Sequence, residues 1–168
     1  MAEADPEEEI GYRVAWQADD ERIQNDAIGF WRSHGLLQPK ADPKLRAAQL
    51  CVVAYAGDTL VGVSTIQVRP LAMLKGERFA MFRCAASPGL RRAGVATQLA
   101  ARSRRVIETW AATVPERRIL GMACVVQGGE LAAKQMHPIW PQSGLNLIGY
   151  NTVGQQVRIA WFAHATVR

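Results

Sequence analysis

The chain has 168 residues, enough for one domain with a real core. Its 49 % hydrophobic and 21 % charged residues exclude a disordered or fibrous class, and no apolar run approaches the roughly 18 residues a membrane span needs. Net charge is +5 with a pI of about 9.5, which leaves open a nucleic-acid or a small polyanionic ligand.

Residues 1–10 read as an acidic, frayed tail without the apolar centre of a signal peptide. Residues 11–168 read as one domain. Tyr12 to Trp16 predicts a short strand, and Asp19 or Asp20 caps a helix that begins near Glu21. Ile23, Ala27, Phe30 and Trp31 share one helical face, and Gly35 suits the stop. Phe30 and Trp31 read as plain core or, with Leu36 and Leu37, as an apolar wall for a ligand. Asp42-Pro43 opens a short helix through about Ala48. Leu50 to Ala56 and Thr59 to Val68 form a hairpin around Gly57-Asp58. Pro70 to Gly76 reads as a loop and Arg78 to Ala86 as a strand.

The next segment carries the most information. Arg91-Arg92-Ala93-Gly94-Val95-Ala96 joins that strand to an amphipathic helix from Thr97 to Ala111. The first N–H groups of a helix lack internal partners and carry partial positive charge. Small residues at Ala93, Gly94 and Ala96 let a phosphate approach them, and Arg91 and Arg92 add donors. Leu99, Ala100, Ser103, Val106, Ile107 and Trp110 fall on the inner face; Arg104 and Glu108 read as an outer i,i+4 pair. The basic cluster Arg91, Arg92, Arg102, Arg104 and Arg105 favours a small polyanion over nucleic acid, because exposed aromatics are not interleaved with it.

Arg118 to Val126 predicts a central strand, Glu130 to about Met136 a weak helix, and Trp140 to Gly144 an irregular stretch. Trp140 reads as a substrate lid or a packing anchor. Asn146 to Thr152 and Gln155 to His164 make a last hairpin around Val153-Gly154. The three cysteines, Cys51, Cys84 and Cys124, form no metal motif and read as buried thiols of a reducing compartment, the cytoplasm. The sum is an α/β (α+β) domain: a largely antiparallel sheet of about seven strands flanked by about four helices.

This order, and the turn within it, resemble the GCN5-related N-acetyltransferase (GNAT) superfamily. Its acetyl-CoA signature runs Val-x-Pro-x-x-[Gln/Arg]-x-x-Gly-x-[Gly/Ala]. Residues Ala86 to Ala96 fit it at every position but the first, where alanine replaces valine. The resemblance covers Tyr12 to about Ala163. It implies an acetyl-CoA-dependent N-acetyltransferase that transfers the acyl group directly to an amine, small-molecule or peptide. Amides from about Arg92 to Thr97, thus Arg92, Ala93, Gly94, Val95, Ala96 and Thr97, would cradle the CoA pyrophosphate beside Arg91 and Arg92. Backbone groups of Cys84, Ala85 and Ala86 would pair with the pantetheine arm, in a gap between this strand and the one around Ala123 to Val125.

The resemblance leaves the proton chemistry open. Histone-type members carry a glutamate where this chain has Ala80. Glu77 lies three residues earlier, on the opposite strand face; it reads first as a solvated carboxylate and second as a base. The family's helical tyrosine falls near Met136-His137, so His137 stands as acid or base, or as a helix-end cap. Tyr150, in the pair Gly149-Tyr150, reads as core packing before it reads as a catalytic acid. The rivals to the enzyme reading are a non-catalytic CoA-binding module and, behind it, a nucleic-acid binder. No membrane partner is expected. The last hairpin's edge offers a route to a homodimer.

Overall fold

The computed structural model describes residues 9–127 and 137–168. Its described elements are one sheet of eight strands and three α-helices. The strands are β1 (Ile10–Val14), β2 (Leu50–Ala56), β3 (Thr59–Leu71), β4 (Glu77–Ala86), β5 (Ile119–Val125), β6 (Ile139–Trp140), β7 (Leu145–Tyr150) and β8 (Gln156–Trp161). The helices are α1 (Glu21–Ser33), α2 (Pro43–Ala47) and α3 (Val95–Thr113). Spatial order is β1-β2-β3-β4-β5-β8-β7-β6. Every pairing is antiparallel except β4 with β5.

The local chemistry explains most boundaries. The Asp20 carboxylate accepts the Ile23 amide at 3.1 Å and caps α1; the Asp42 carboxylate accepts the Lys44 amide at 2.8 Å and caps α2. The first strand begins at Ile10 rather than Tyr12, inside the stretch read as tail. Strand β3 runs on to Leu71 through the expected loop, with Pro70 opposite Arg78. Proline is tolerated there because the β2 register ends at Thr65, leaving no partner on that side for its missing N–H.

Two layers cover the sheet. Helix α3 packs on one face, with Leu99 and Ile107 fully buried, each contributing about 1.5–3 kcal/mol of hydrophobic burial. Inside that layer the Ser64 and Ser103 hydroxyls meet at 2.8 Å. A side chain at Gly62 would strike Val95 Cγ1 at 2.9 Å, so the glycine lets the start of α3 lie close against β3. Helices α1 and α2 cover the other face, where Ile23, Ala27, Phe30 and Trp31 pack on Val53, Tyr55 and Val63.

Two expectations are corrected. The strand count is eight rather than seven, because the stretch read as irregular contains β6. Arg158, fully buried, donates to the carbonyls of His137 and Pro138 and stacks 4.3 Å from the Trp140 ring centroid. That pins the segment beside β7, and Trp140 is a packing anchor. Arg104 and Glu108 do not pair: Arg104 donates to the Ser143 carbonyl, and Glu108 accepts the Ala163 amide. Both tie α3 to the C-terminal strands. Three helices are described; the helix expected over Glu130 to Met136 lies outside the described residues.

Candidate active site

Strands β4 and β5 begin together and part. Their register runs from Arg78–Ile119 to Met81–Ala123, with an irregularity between, and goes no further, although β4 continues to Ala86 and β5 to Val125. On its other side β4 stays paired to β3 without a break, from Glu77–Leu71 to Ala86–Gly62. Strand β5 stays paired to β8 as far as Val125–Val157. A wedge therefore opens between the two central strands. The edge of β4 from Phe82 to Ala86 presents main-chain groups to it with no β5 partner among the described residues.

The turn that follows stands at the end of this open edge. Pro88–Ala93 forms a 3-10 turn, and Gly94 enters α3 with φ +74°, a left-handed conformation that costs an L-residue roughly 1–2 kcal/mol. No side chain caps α3. The amides of Val95, Ala96 and Thr97 are thus free of helical partners at the positive end of a 19-residue helix. A side chain built on Gly94 would meet nothing within 4 Å, so the space in front of the turn is open.

The cysteines divide around the wedge. Cys51 and Cys124 are buried, but Cys84 is exposed, which corrects the reading of three buried thiols. Cys84 lies on the β4 edge where β5 has turned away. Its surroundings are still dense enough that desolvation pushes the thiol up to about 12. Exposure through the wedge and a protein-lined environment coexist there. The thiol stays protonated at neutral pH and is no nucleophile.

The candidate acid–base residues fall in different places. Glu77 stands at the start of β4, ion-paired with Arg118 at 3.3 Å, and β4 has no bulge against β3 that would turn it. It is four residues before Met81 and remote from the wedge. Ala80 is fully buried in the α3-side core. His137 is exposed, and its carbonyl accepts from Arg158 at 2.9 Å; its ring makes no hydrogen bond with the described residues. Tyr150 is 59 % exposed, so the core-packing reading is overturned. It pairs with Gln156, whose carbonyl in turn accepts the Val126 amide. That row runs from the end of β5 across β8 to β7, on the side of β5 away from β4. Burial lowers the pKa of Arg158, and the neighbouring Cys124 and Tyr150 act in the opposite direction. Tyr150 therefore stands near Arg158.

On the α1–α2 side the wedge opens into a cleft of about 320 Å³ whose walls include Arg46, Gln67, Arg69, Met81, Arg83 and Asn151. The spacing of these residues gave no signal in the sequence, since α2, β3, β4 and the β7–β8 turn contribute them separately. Phe30 and Trp31 are buried core instead of acceptor wall. Leu36 is exposed and Leu37 half-buried. A smaller recess of about 120 Å³ beside Asp19, Asp20 and Ala47 lies at the start of α1, away from the wedge.

This geometry, a sheet split between two parallel central strands with an uncapped helix start at the split, is the GNAT fold. Solved structures agree. A GNAT-family acetyltransferase from Streptococcus pneumoniae superposes with a TM-score of 0.60 at 10 % identity, over 92 % of this chain and all of that one (100 %). A putative acetyltransferase from Salmonella typhimurium, solved with acetyl-CoA, gives 0.58 at 11 % identity, over 94 % and 96 %. A mutant AtaT toxin bound to the C-terminus of the antitoxin AtaR gives 0.59 at 13 %, over 92 % of each. No family model matches the sequence, and no curated protein does. The chain has the GNAT superfamily fold along nearly its whole described length. No described helix is long and apolar enough to cross a membrane.

Proposed function

We infer that the protein is an acetyl-CoA-dependent N-acetyltransferase that transfers the acyl group directly to an amine. The observation that carries this reading is the parting of β4 and β5 after Met81–Ala123, with the uncapped α3 start at its mouth. The residues fit the donor. Val95, Ala96 and Thr97 amides, with Gly94, Ala93 and the backbone of Arg91 and Arg92, would hold the pyrophosphate. Open edge groups of Cys84, Ala85 and Ala86 would pair with the pantetheine amides, as a strand would. Acetyl-CoA, when bound, supplies the acyl group as an activated thioester.

The chain's own residues then have two tasks. Amides at the β4 edge are fixed donors for the carbonyl oxygen as charge builds on it. Tyr150, exposed at the end of β7, would supply the proton that the leaving sulfur takes as the carbon–nitrogen bond forms and the carbon–sulfur bond breaks. Among the described residues no carboxylate lines the cleft, so the amine would lose its proton to water rather than to a side-chain base. Glu77, held by Arg118, is a structural ion pair in this scheme. His137 remains a second candidate acid, because its carbonyl is held by Arg158.

Titration calorimetry with acetyl-CoA, followed by a thiol assay for free CoA in the presence of an amine panel, tests the reading. Binding with amine-dependent CoA release is expected. Binding without release for any amine would make the protein a CoA-binding module, and absence of binding would defeat the proposal.

A further inference from the structure

The cleft on the α1–α2 side carries positive charge that no described group answers. Arg46 reaches it from α2, Arg69 from β3 and Arg83 from β4, and among the described residues no aspartate or glutamate lines it. The ion pairs among the described residues, Arg22–Asp58 and Arg118–Glu77, involve none of the three. Arg46 is held in place: it donates to the Leu36 carbonyl and lies 4.3 Å from the Trp31 ring centroid. Fixed there, it loses proton affinity through burial and then through the positive charge of Arg83. The two guanidinium groups are therefore close enough to repel each other. Keeping like charges together opposes folding, and such conflicts concentrate where a ligand supplies the opposite charge. The surrounding wall is neutral and can donate or accept: Gln67, Asn151 and their neighbours.

We propose, on the basis of the acetyltransferase reading, that the acceptor is a small amine that also carries a carboxylate. It is an amino acid or a close analogue, its carboxylate held between Arg46 and Arg83, with Arg69 completing the positive wall. A guanidinium offers paired, coplanar N–H donors that match the two oxygens of a carboxylate. The cleft, about 320 Å³, lies at the small end of ligand sites. A polyamine or a lysine-rich peptide tail would meet repulsion on entry. A phosphate-bearing amine offers the same charge, and the test separates it.

Free CoA released from acetyl-CoA is measured with phenylalanine, tyrosine, glutamate and histidine, each beside its decarboxylated amine, and with phosphoethanolamine and spermidine. The carboxylated members should be used with kcat/KM at least about tenfold above their decarboxylated partners. Arg83→Ala should raise KM for the carboxylated acceptors about tenfold with kcat nearly unchanged. Its acetyl-CoA affinity by calorimetry should match the wild type. Arg83→Lys should recover only part of the loss, because it restores charge without the planar fork. Arg69→Gln, on an exposed strand position, repeats the test if Arg83→Ala misfolds. Equal use of the decarboxylated amines, acceptance of phosphoethanolamine alone, competition by transfer RNA, or an unchanged KM in the arginine variants would each overturn the proposal. Failure of the wild type to bind acetyl-CoA would instead defeat the transferase reading. Titration of the carboxylated amines alone would then decide the arginine site by itself.

Discussion

On the α3 side of the wedge, the groups available to a ligand are main-chain amides; on the α1–α2 side they are arginine and amide side chains. The first set comes from one continuous stretch, Phe82 to Thr97, and depends on backbone conformation: an open strand edge, a 3-10 turn and a glycine at φ +74°. The second set is assembled from α2, β3, β4 and the β7–β8 turn, and depends on packing. Main-chain donors are indifferent to most substitutions, so they suit a ligand that does not vary. Side-chain donors can be exchanged one at a time, so they suit the partner in which related proteins differ.

The largest expected effect comes from breaking the backbone half. Gly94→Val puts a β-branched residue where only glycine is at ease, and should weaken acetyl-CoA binding about a hundredfold by calorimetry. The far-UV spectrum should stay essentially unchanged, because the space in front of Gly94 is open. A spectrum that collapses would show the turn to be structural first.

Next comes the candidate acid. Tyr150→Phe should lower kcat by tenfold or more, with acetyl-CoA affinity intact. An unchanged kcat would pass the acid's role to His137, which His137→Gln then examines.

A smaller effect concerns pH. The buried thiols Cys51 and Cys124 are both pushed from 9.0 up to about 12 by desolvation. In each case the folded state holds the proton more tightly than the unfolded chain. The stability they contribute is fully present below pH 9 and is lost as pH rises from 9 towards 12. Melting temperature should therefore be flat from pH 7 to 8.5 and fall between 9 and 11. Cys124→Ala should fall less steeply than the wild type.

The smallest effect is expected away from both halves. Glu77→Gln breaks a half-buried ion pair with Arg118, which should cost no more than about 1 kcal/mol of unfolding free energy. Turnover should stay within about twofold of the wild type. A drop of a hundredfold or more would restore Glu77 as the general base.

The two halves also differ in how far the sequence disclosed them. Everything about the donor half is local: Pro88, the small residues 93–96 and the amphipathic spacing after them dictate a turn and a helix start wherever they occur. The Gly57-Asp58 hairpin and the Asp20 and Asp42 caps were readable for the same reason. The wedge itself was readable only through the resemblance, because where β5 leaves β4 is settled by its pairing with β8. That is why Cys84, in an apolar run, reads as buried and proves exposed. Strand β6 was illegible since two residues carry no period; Arg158, far along the chain, holds it. Arg46 and Arg83 carry no shared motif, and only folding brings their charges together. Arg104 and Glu108 had the spacing of a helical pair, yet the Ser143 carbonyl and the Ala163 amide, beside the C-terminal strands, took them as partners.

If backbone amides along the wedge hold acetyl-CoA, amide hydrogen exchange with and without it shows so most directly. Added protection is predicted over residues 82–86 and 94–97, with the cleft arginines' strands beyond the wedge, such as residues 67–69 of β3, unchanged. Saturating acetyl-CoA that slows exchange elsewhere, and leaves these two stretches as they were, would contradict it.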